Sequence, residues 1–296
     1  MNFFLLALYY LLPACADLPS IPTGGELSAY ITDYVERARG EFWAVDSSET
    51  RFDSLGTLWQ AKLGRDYPDE DWGDKTHDWW SHREPNLIGV VGESMGSDTA
   101  EGEVEFSRGL LRRFLVPSSP NRPVRCLSVG SGIGREAIGA LIPWCSSVDL
   151  IEPQAHLMEE AVRTFPAGYL GNTFIERAQH HAFDPKEKYD VVWIQWCTNY
   201  IPDAGMAQFV RNAAASLSPG GVIVLKDNVS AFADGVYNDE NHMLIRSMEY
   251  LKSLVFLGNP KLQVLTDEPQ VPWPSNLFPM RAVVFSLDSR VEERDL

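Results

Sequence analysis

Between Val124 and Asn228 short apolar runs alternate with helix-length segments, and this alternation limits the fold more than any other feature of the chain. Val124–Val129 ends in a glycine-rich turn and leads into a helical stretch through Leu141, and Val148–Ile151 ends at Glu152 ahead of a helical pattern over Ala155–Thr164. Thr173–Arg177 and Asp190–Trp196 (DVVWIQW) read as further strands. A predicted helix over Gly205–Leu217 then leads through Ser218-Pro219-Gly220 into the apolar run Val222–Leu225. Strands separated by one helix pair in parallel through crossovers, so the pattern predicts an α/β core with a mostly parallel sheet and helices on both faces. After a predicted helix at about Leu244–Leu257, the runs Leu262–Leu265 and Ala282–Leu287 are placed to pair antiparallel at the sheet edge.

The chain before this core is less regular. Phe3–Leu12 (FFLLALYYLL) is an apolar run followed by Pro13-Ala14-Cys15-Ala16, a small-residue pattern like a signal-peptidase site. The run is too short to span a membrane, and Met1-Asn2 adds no positive side chain; a signal peptide, a packed helix and a mis-assigned gene start all fit. Residues 17–77 read as an extension, with a helix over Glu26–Phe42 whose stripe is Leu27, Tyr30, Ile31, Tyr34 and Val35, and a charged loop over Arg65–Lys75. Trp43, Trp59 and Trp72 indicate that part of it buries something. Glu103–Leu115 is an amphipathic helix closed by a linker at Pro117–Pro123. A main domain is expected over residues 78–290, with a charged tail at 291–296.

The net charge of −16 (25 Lys and Arg against 41 Asp and Glu) disfavours nucleic-acid backbones and anionic membranes and suits a cationic substrate such as a basic peptide. An acidic surface that serves solubility alone explains the charge equally well. Cys15, Cys126, Cys145 and Cys197 have no metal-ligand spacing, and no metal is expected. No disulfide framework is indicated either, which makes a reducing compartment the default.

Gly130-Ser131-Gly132-Ile133-Gly134 follows a predicted strand and opens a predicted helix. Glycines permit a tight turn and close approach of a ligand to the backbone, and the helix start favours an anion. Glu152 lies 22 residues after Gly130, at the end of the next strand, where a carboxylate can accept from both ribose hydroxyls. Arg135 can pair with a carboxylate, which points to a cofactor with an amino-acid end. A dinucleotide fingerprint would place a small residue where Arg135 stands, so S-adenosylmethionine is the cofactor expected and an oxidoreductase the weaker alternative.

Several segments resemble the α-N-terminal protein methyltransferases, which act on the free α-amine of proteins beginning Xaa-Pro-Lys. They are VGSGIGR (Val129–Arg135), YDVVWIQWC (Tyr189–Cys197), LSPGGVIVLKDN (Leu217–Asn228), GEVEFSRGLLRRFL (Gly102–Leu115), WWSHREPNLIGVVG (Trp79–Gly92) and, more loosely, QVPWPSNLFPM (Gln270–Met280). The resemblance spans about residues 78–288. It implies a Rossmann-like class I methyltransferase with a mostly parallel seven-stranded sheet and an antiparallel C-terminal edge. Gly130, Gly132 and Arg135 would hold the methionine moiety, and Glu152, Pro153 and Gln154 the ribose and adenine edge. Gln179 or His180 would meet the adenine, Gln195 would touch the cofactor and Trp80 would close over it. Trp79 and Trp196 would line the substrate channel and Asn228 would bind the incoming N-terminus. Trp193 and Trp196, three apart on a predicted strand, would face opposite ways, and Lys226 with Asp227 reads as a structural ion pair or a helix-side contact. The family also implies cytoplasm and nucleus; a working signal peptide would imply the secretory pathway.

The chain departs from the family where the chemistry lies. The family's His, four residues after the second Trp of W-I-Q-W, is Tyr200 here, a poor base near neutral pH. Two usual aspartates fall on Asn238 and Asn241, beside Asp239, Glu240 and His242. The base role is therefore expected at Asp239, Glu240 or His242, or deprotonation is left to water. Two alternatives stand beside this enzyme: a cofactor-binding homologue that holds basic N-terminal peptides without catalysis, and a small-molecule N-methyltransferase.

Overall fold

The computed structural model describes residues 25–65, 70–92, 97–115, 122–184 and 186–288. The apolar run Phe3–Leu12, the cleavage-like residues after it, most of the Pro117–Pro123 linker and the tail 291–296 lie outside the described residues.

Seven strands form the main sheet: β3 (Arg125–Val129), β4 (Ser147–Ile151), β5 (Leu170–Phe174), β6 (Tyr189–Gln195), β7 (Leu217–Asn228), β10 (Gln263–Pro269) and β11 (Met280–Ser286), in the order β10-β11-β7-β6-β3-β4-β5. β7 through β5 pair in parallel, while β11 runs antiparallel to β7 and β10 antiparallel to β11. The strand order reverses between β3 and β6, and such a switch point opens a crevice at the carboxyl ends of the strands.

Every residue of β6 is buried because the sheet is covered on both faces. Val192 and Ile194 join one core with the helices Asp203–Ala215 and Met248–Gly258. Val191 and Trp193, pointing the other way, join a second core under the helix Ser97–Phe114. A smaller sheet combines β1 (Ala44–Asp46), β2 (Arg51–Phe52), β8 (Gly235–Tyr237) and β9 (Leu244–Arg246) in the order β2-β1-β8-β9. Residues 25–65 thus belong to the main core: Ile31, Val35, Leu55, Leu58 and Trp59 are buried in the same cluster as β6. Among the described residues no helix is long and apolar enough to cross a membrane.

The structure corrects several local expectations. The charged stretch expected as a loop over Arg65–Lys75 enters the helix Glu70–Ser81, because Trp72 is fully buried 4.9 Å from the Trp59 ring and Thr76 follows it one turn later on the same face. The helix expected from Leu244 starts at Met248. Leu244–Arg246 pairs with β8 first, and the Ser247 hydroxyl then caps the helix by accepting from Tyr250 N at 3.2 Å. β5 lies earlier than the run Thr173–Arg177, and the segment after the glycine turn widens into a π-helix at Ala137–Leu141, where Arg108 Nε donates to Gly139 O.

Cys126 and Cys145 form a disulfide, with Cα atoms 6.0 Å apart, where no bridge was expected. Cys126 lies on the β3 face that the following helix covers, and the chain returns past it at Cys145 before entering β4, a proximity that a spacing of 19 residues does not reveal. The default of a reducing compartment loses its support. We expect Cys126 and Cys145 to take up an alkylating agent in denaturant only after reduction, read by peptide mass spectrometry. Labelling of both without reductant would refute the bridge.

Candidate active site

β3 ends at Val129, and the turn after it carries Gly130 at φ 64° and Gly132 at φ 52°, left-handed conformations that strain a residue with a Cβ. A Cβ on Gly130 would also lie 2.6 Å from the Cβ of Cys197. The turn forms the floor of an open cleft of about 1120 Å³, lined also by Arg135, Glu152, Pro153, Gln154, Gln179, Gln195, Trp196, Tyr200 and Trp80. His180, the alternative to Gln179, is outside this lining.

Glu152 is buried at the end of β4. Its two oxygens accept from Gly132 N at 2.8 Å and Gln154 N at 2.9 Å. Burial pushes its carboxyl up against these two donors, to about 7. Gln154 is held in turn by His77, whose carbonyl accepts from Gln154 Nε2 at 2.7 Å.

A second cleft of about 1030 Å³ adjoins the first and shares Trp80, Val90, Val91, Trp196 and Tyr200 with it. Its remaining wall includes Trp79, Arg83, Asn199, Asp227, Asn228, Asn241, Met243 and Trp273. Trp196 stands just beyond β6 at φ 52°, which corrects the expectation of a strand residue opposed to Trp193. The released backbone lets one indole border both clefts. Trp80 packs edge-on against Tyr200 at 5.4 Å and Trp79 at 5.0 Å, and Arg83 stacks over Trp79 at 4.8 Å. Burial first, and the nearby Asp227 second, raise the Tyr200 phenol far above its ordinary value.

Lys226 and Asp227 do not pair with each other, as adjacent strand residues face opposite ways. Asp227 accepts from Thr198 N at 3.0 Å, Thr198 Oγ1 at 2.6 Å, Asn199 Nδ2 at 3.0 Å and Asn228 N at 2.8 Å. Burial nevertheless raises it to about 6. Asn228 Nδ2 donates to Phe278 O at 2.8 Å.

On the other side Lys226 Nζ reaches the carboxylate and carbonyl of Glu103. Glu103 also accepts from Arg135 Nη2 at 2.5 Å and Gln195 Nε2 at 2.8 Å. Burial opposes its charge, but Lys226 and Arg135 override it and hold the Glu103 carboxyl below its ordinary range. Glu103 and Asp227 are not among the residues that the sequence marks as cofactor or acceptor contacts. The signal for Glu103 was present: it lies four residues before Ser107 and seven before Leu110, on the buried face of an amphipathic helix.

Of four residues expected here, three lie outside both clefts. Asp239 is 41% exposed and paired with Lys62 at 2.7 Å, outside both clefts. His242 is also outside them; its Nδ1 is 3.1 Å from Tyr237 Oη and its carbonyl accepts from Trp72 Nε1 at 2.5 Å. Asn238 Oδ1 accepts from Glu240 N and Asn241 N, closing the turn rather than lining a cleft. Asn241 alone of this group reaches the second cleft.

A family model described as AdoMet dependent proline di-methyltransferase matches residues 68–287. The chain belongs to this family. It is an S-adenosylmethionine-dependent methyltransferase. Its similar relatives include alpha N-terminal protein methyltransferase 1 of Caenorhabditis elegans, 28% identical over 72% of this chain and 89% of that protein. Another is N-terminal Xaa-Pro-Lys N-methyltransferase 1 of Danio rerio, 29% identical over 69% and 91%. A solved SAM-dependent methyltransferase of Leishmania major superposes with a TM-score of 0.72 at 26% identity, covering 83% of this chain and 96% of its own. The glycine turn, the buried Glu152 and the adjoining Arg135 suit the cofactor of this methyltransferase family: a close backbone approach, a diol acceptor and a carboxylate partner.

An ionised Glu152 is the better acceptor for two hydroxyls, so cofactor binding should be full above the free-state value near 7 and weaken as pH falls through it. We expect affinity about tenfold lower at pH 6 than at pH 8 by titration calorimetry, and a flattened slope in Glu152→Gln. An equal slope in both proteins would assign the effect to another group.

Proposed function

We propose that this methyltransferase acts on the free α-amine of protein N-termini of the Xaa-Pro-Lys kind. The observation that carries the reading is the meeting of the two clefts at Trp196, Tyr200 and Trp80, which provides one chamber for the cofactor and another for an acceptor. When bound, S-adenosylmethionine supplies the methyl group for in-line displacement by a neutral amine. Gly130 and Gly132 would bring the backbone close to its amino-acid end, Arg135 would pair with its carboxylate, and Glu152 would accept from its ribose. Pro153, Gln154, Gln179 and Gln195 would border the rest.

In the acceptor cleft Trp79, Trp80 and Trp196 form flat walls suited to a proline ring and to a cationic amine. Asn228 has its amide nitrogen committed to Phe278 O, which leaves Oδ1 to accept from an incoming amine. The carboxylate of Asp227 behind it favours the methylated ammonium product, although its four hydrogen-bond donors leave it little capacity as a base. None of Asp239, Glu240 and His242 lines either cleft, which favours deprotonation by water over a relocated base. An α-amine titrates at about 8, so a usable fraction is neutral at physiological pH without a dedicated base. Tyr200 serves as an aromatic wall.

The test is mass spectrometry of a Ser-Pro-Lys-leading peptide incubated with protein and S-adenosylmethionine, beside its α-acetylated form. We expect a step of about 14 Da, one methyl for one hydrogen, on the free peptide alone. No product on either would turn the reading toward a peptide-binding homologue or a small-molecule acceptor. Tyr200→Phe should keep kcat within about threefold, since the phenol is far from titrating at neutral pH; a loss above about a hundredfold would make it a proton carrier after all.

A further inference from the structure

Asn241 and Met243 reach the acceptor cleft from a hairpin much of whose support lies upstream of the family-matched segment. Its first strand, β8, pairs in parallel with β1 through Ala44↔Gly235, Val45↔Val236 and Asp46↔Tyr237. The turn that follows is held from the same side. Lys62 Nζ lies 2.6 Å from Asp46 Oδ2 and 2.7 Å from Asp239 Oδ1, and Asp239 N donates to Ser47 Oγ at 3.0 Å. Tyr237, which contacts the His242 ring nitrogen, packs edge-on against Trp59 at 5.9 Å. His242 itself has φ 59°, a left-handed conformation that a non-glycine residue keeps only when its surroundings enforce it. The residues on either side of it, Asn241 and Met243, both line the cleft. Anchoring Asp239 and His242 on the outside therefore determines where those two side chains stand on the inside.

We propose that Lys62 is a positioning residue for the peptide acceptor: by tying Asp239 to Asp46, it holds the Asn238–Met243 turn as one wall of the acceptor cleft. This rests on the reading that the acceptor is a peptide N-terminus. Lys62 is well placed for the role, with a side chain only 15% exposed and an ammonium lying 5.7 Å from the Phe52 ring and 5.6 Å from the Tyr237 ring. Burial opposes its charge, but the bonds to Asp239 and Asp46 more than offset this, so it stays protonated through the neutral range. No residue of the turn lines the cofactor cleft, so the effect is confined to the acceptor.

The experiment compares Lys62→Met, Lys62→Arg and Asp239→Asn in the full chain, using steady-state methylation of the Ser-Pro-Lys peptide and calorimetric binding of S-adenosylmethionine. Lys62→Met should raise the peptide KM about tenfold and Asp239→Asn several-fold, with kcat within about twofold. Cofactor affinity should be unchanged in both. Lys62→Arg should return KM to within about threefold of the parent, because a second cation can span the same two acids. Unchanged KM in both Lys62→Met and Asp239→Asn overturns the proposal. So does a joint loss of kcat, cofactor affinity and melting temperature, which marks a merely structural contact. Loss of kcat in Asp239→Asn with a vanished limb of the pH–rate profile would make Asp239 a base, also against it. A parent enzyme inert toward every α-amine peptide overturns the acceptor reading and this proposal with it, a pattern visible before any variant is measured.

Discussion

Glu103 holds a carboxylate fully out of solvent, and an ion in such a place costs several kcal/mol unless its partners are equally well placed. Its partners come from the main structural units of the site: Lys226 from β7, Gln195 from the end of β6, and Arg135 from just past the glycine turn. Ser107, one turn further along the same helix, accepts from Lys226 Nζ at 2.7 Å. The cluster therefore fixes the helix Ser97–Phe114 against the switch point of the sheet and sets the position of Arg135 beside the cofactor turn. Arg135 also lies 5.3 Å from the Trp196 ring, so the same network reaches the indole shared by both clefts.

The faces of β7 divide the labour. Lys226 serves the cofactor side through Glu103, while Asp227 turns the other way and gathers Thr198, Asn199 and Asn228 into the acceptor wall. A carboxylate with four donors acts mainly through its field and through the geometry it imposes, since taking a proton would displace one of those donors. This arrangement accounts for an acceptor site that has Tyr200 and Asn241 where relatives of this type were expected to carry His and Asp. On the proposed reading, methyl transfer depends on a neutral fraction of the amine and on its alignment between aromatic walls.

Much of the sheet was legible because its signals are local. Apolar runs of strand length, the glycine turn and an acid at the next strand end each follow from short-range backbone and burial rules, and Glu152 and Gly130 lie where those rules put them. The antiparallel edge was legible for the same reason. The acceptor side was less so. The register of Asn238 to His242 depends on Lys62 and Trp72, more than a hundred and fifty residues earlier, and no local pattern reports such a contact. Trp72 is the clearest instance: its charged neighbours read as loop, and only its packing against Trp59 turns the segment into helix.

The sequence by itself determined the α/β order of the core, the class of cofactor and the glycine turn with an acid at the next strand end, because these depend on periodicity and on turns a few residues long. The tertiary structure alone decided which charges meet. It joined Cys126 to Cys145, took Asp239 and His242 out of the cleft, sent Lys226 and Asp227 to opposite faces, and bent Trp196 off its strand to border both chambers. Pairings of that kind depend on distances between segments remote in the chain, which packing sets only once the whole core has formed.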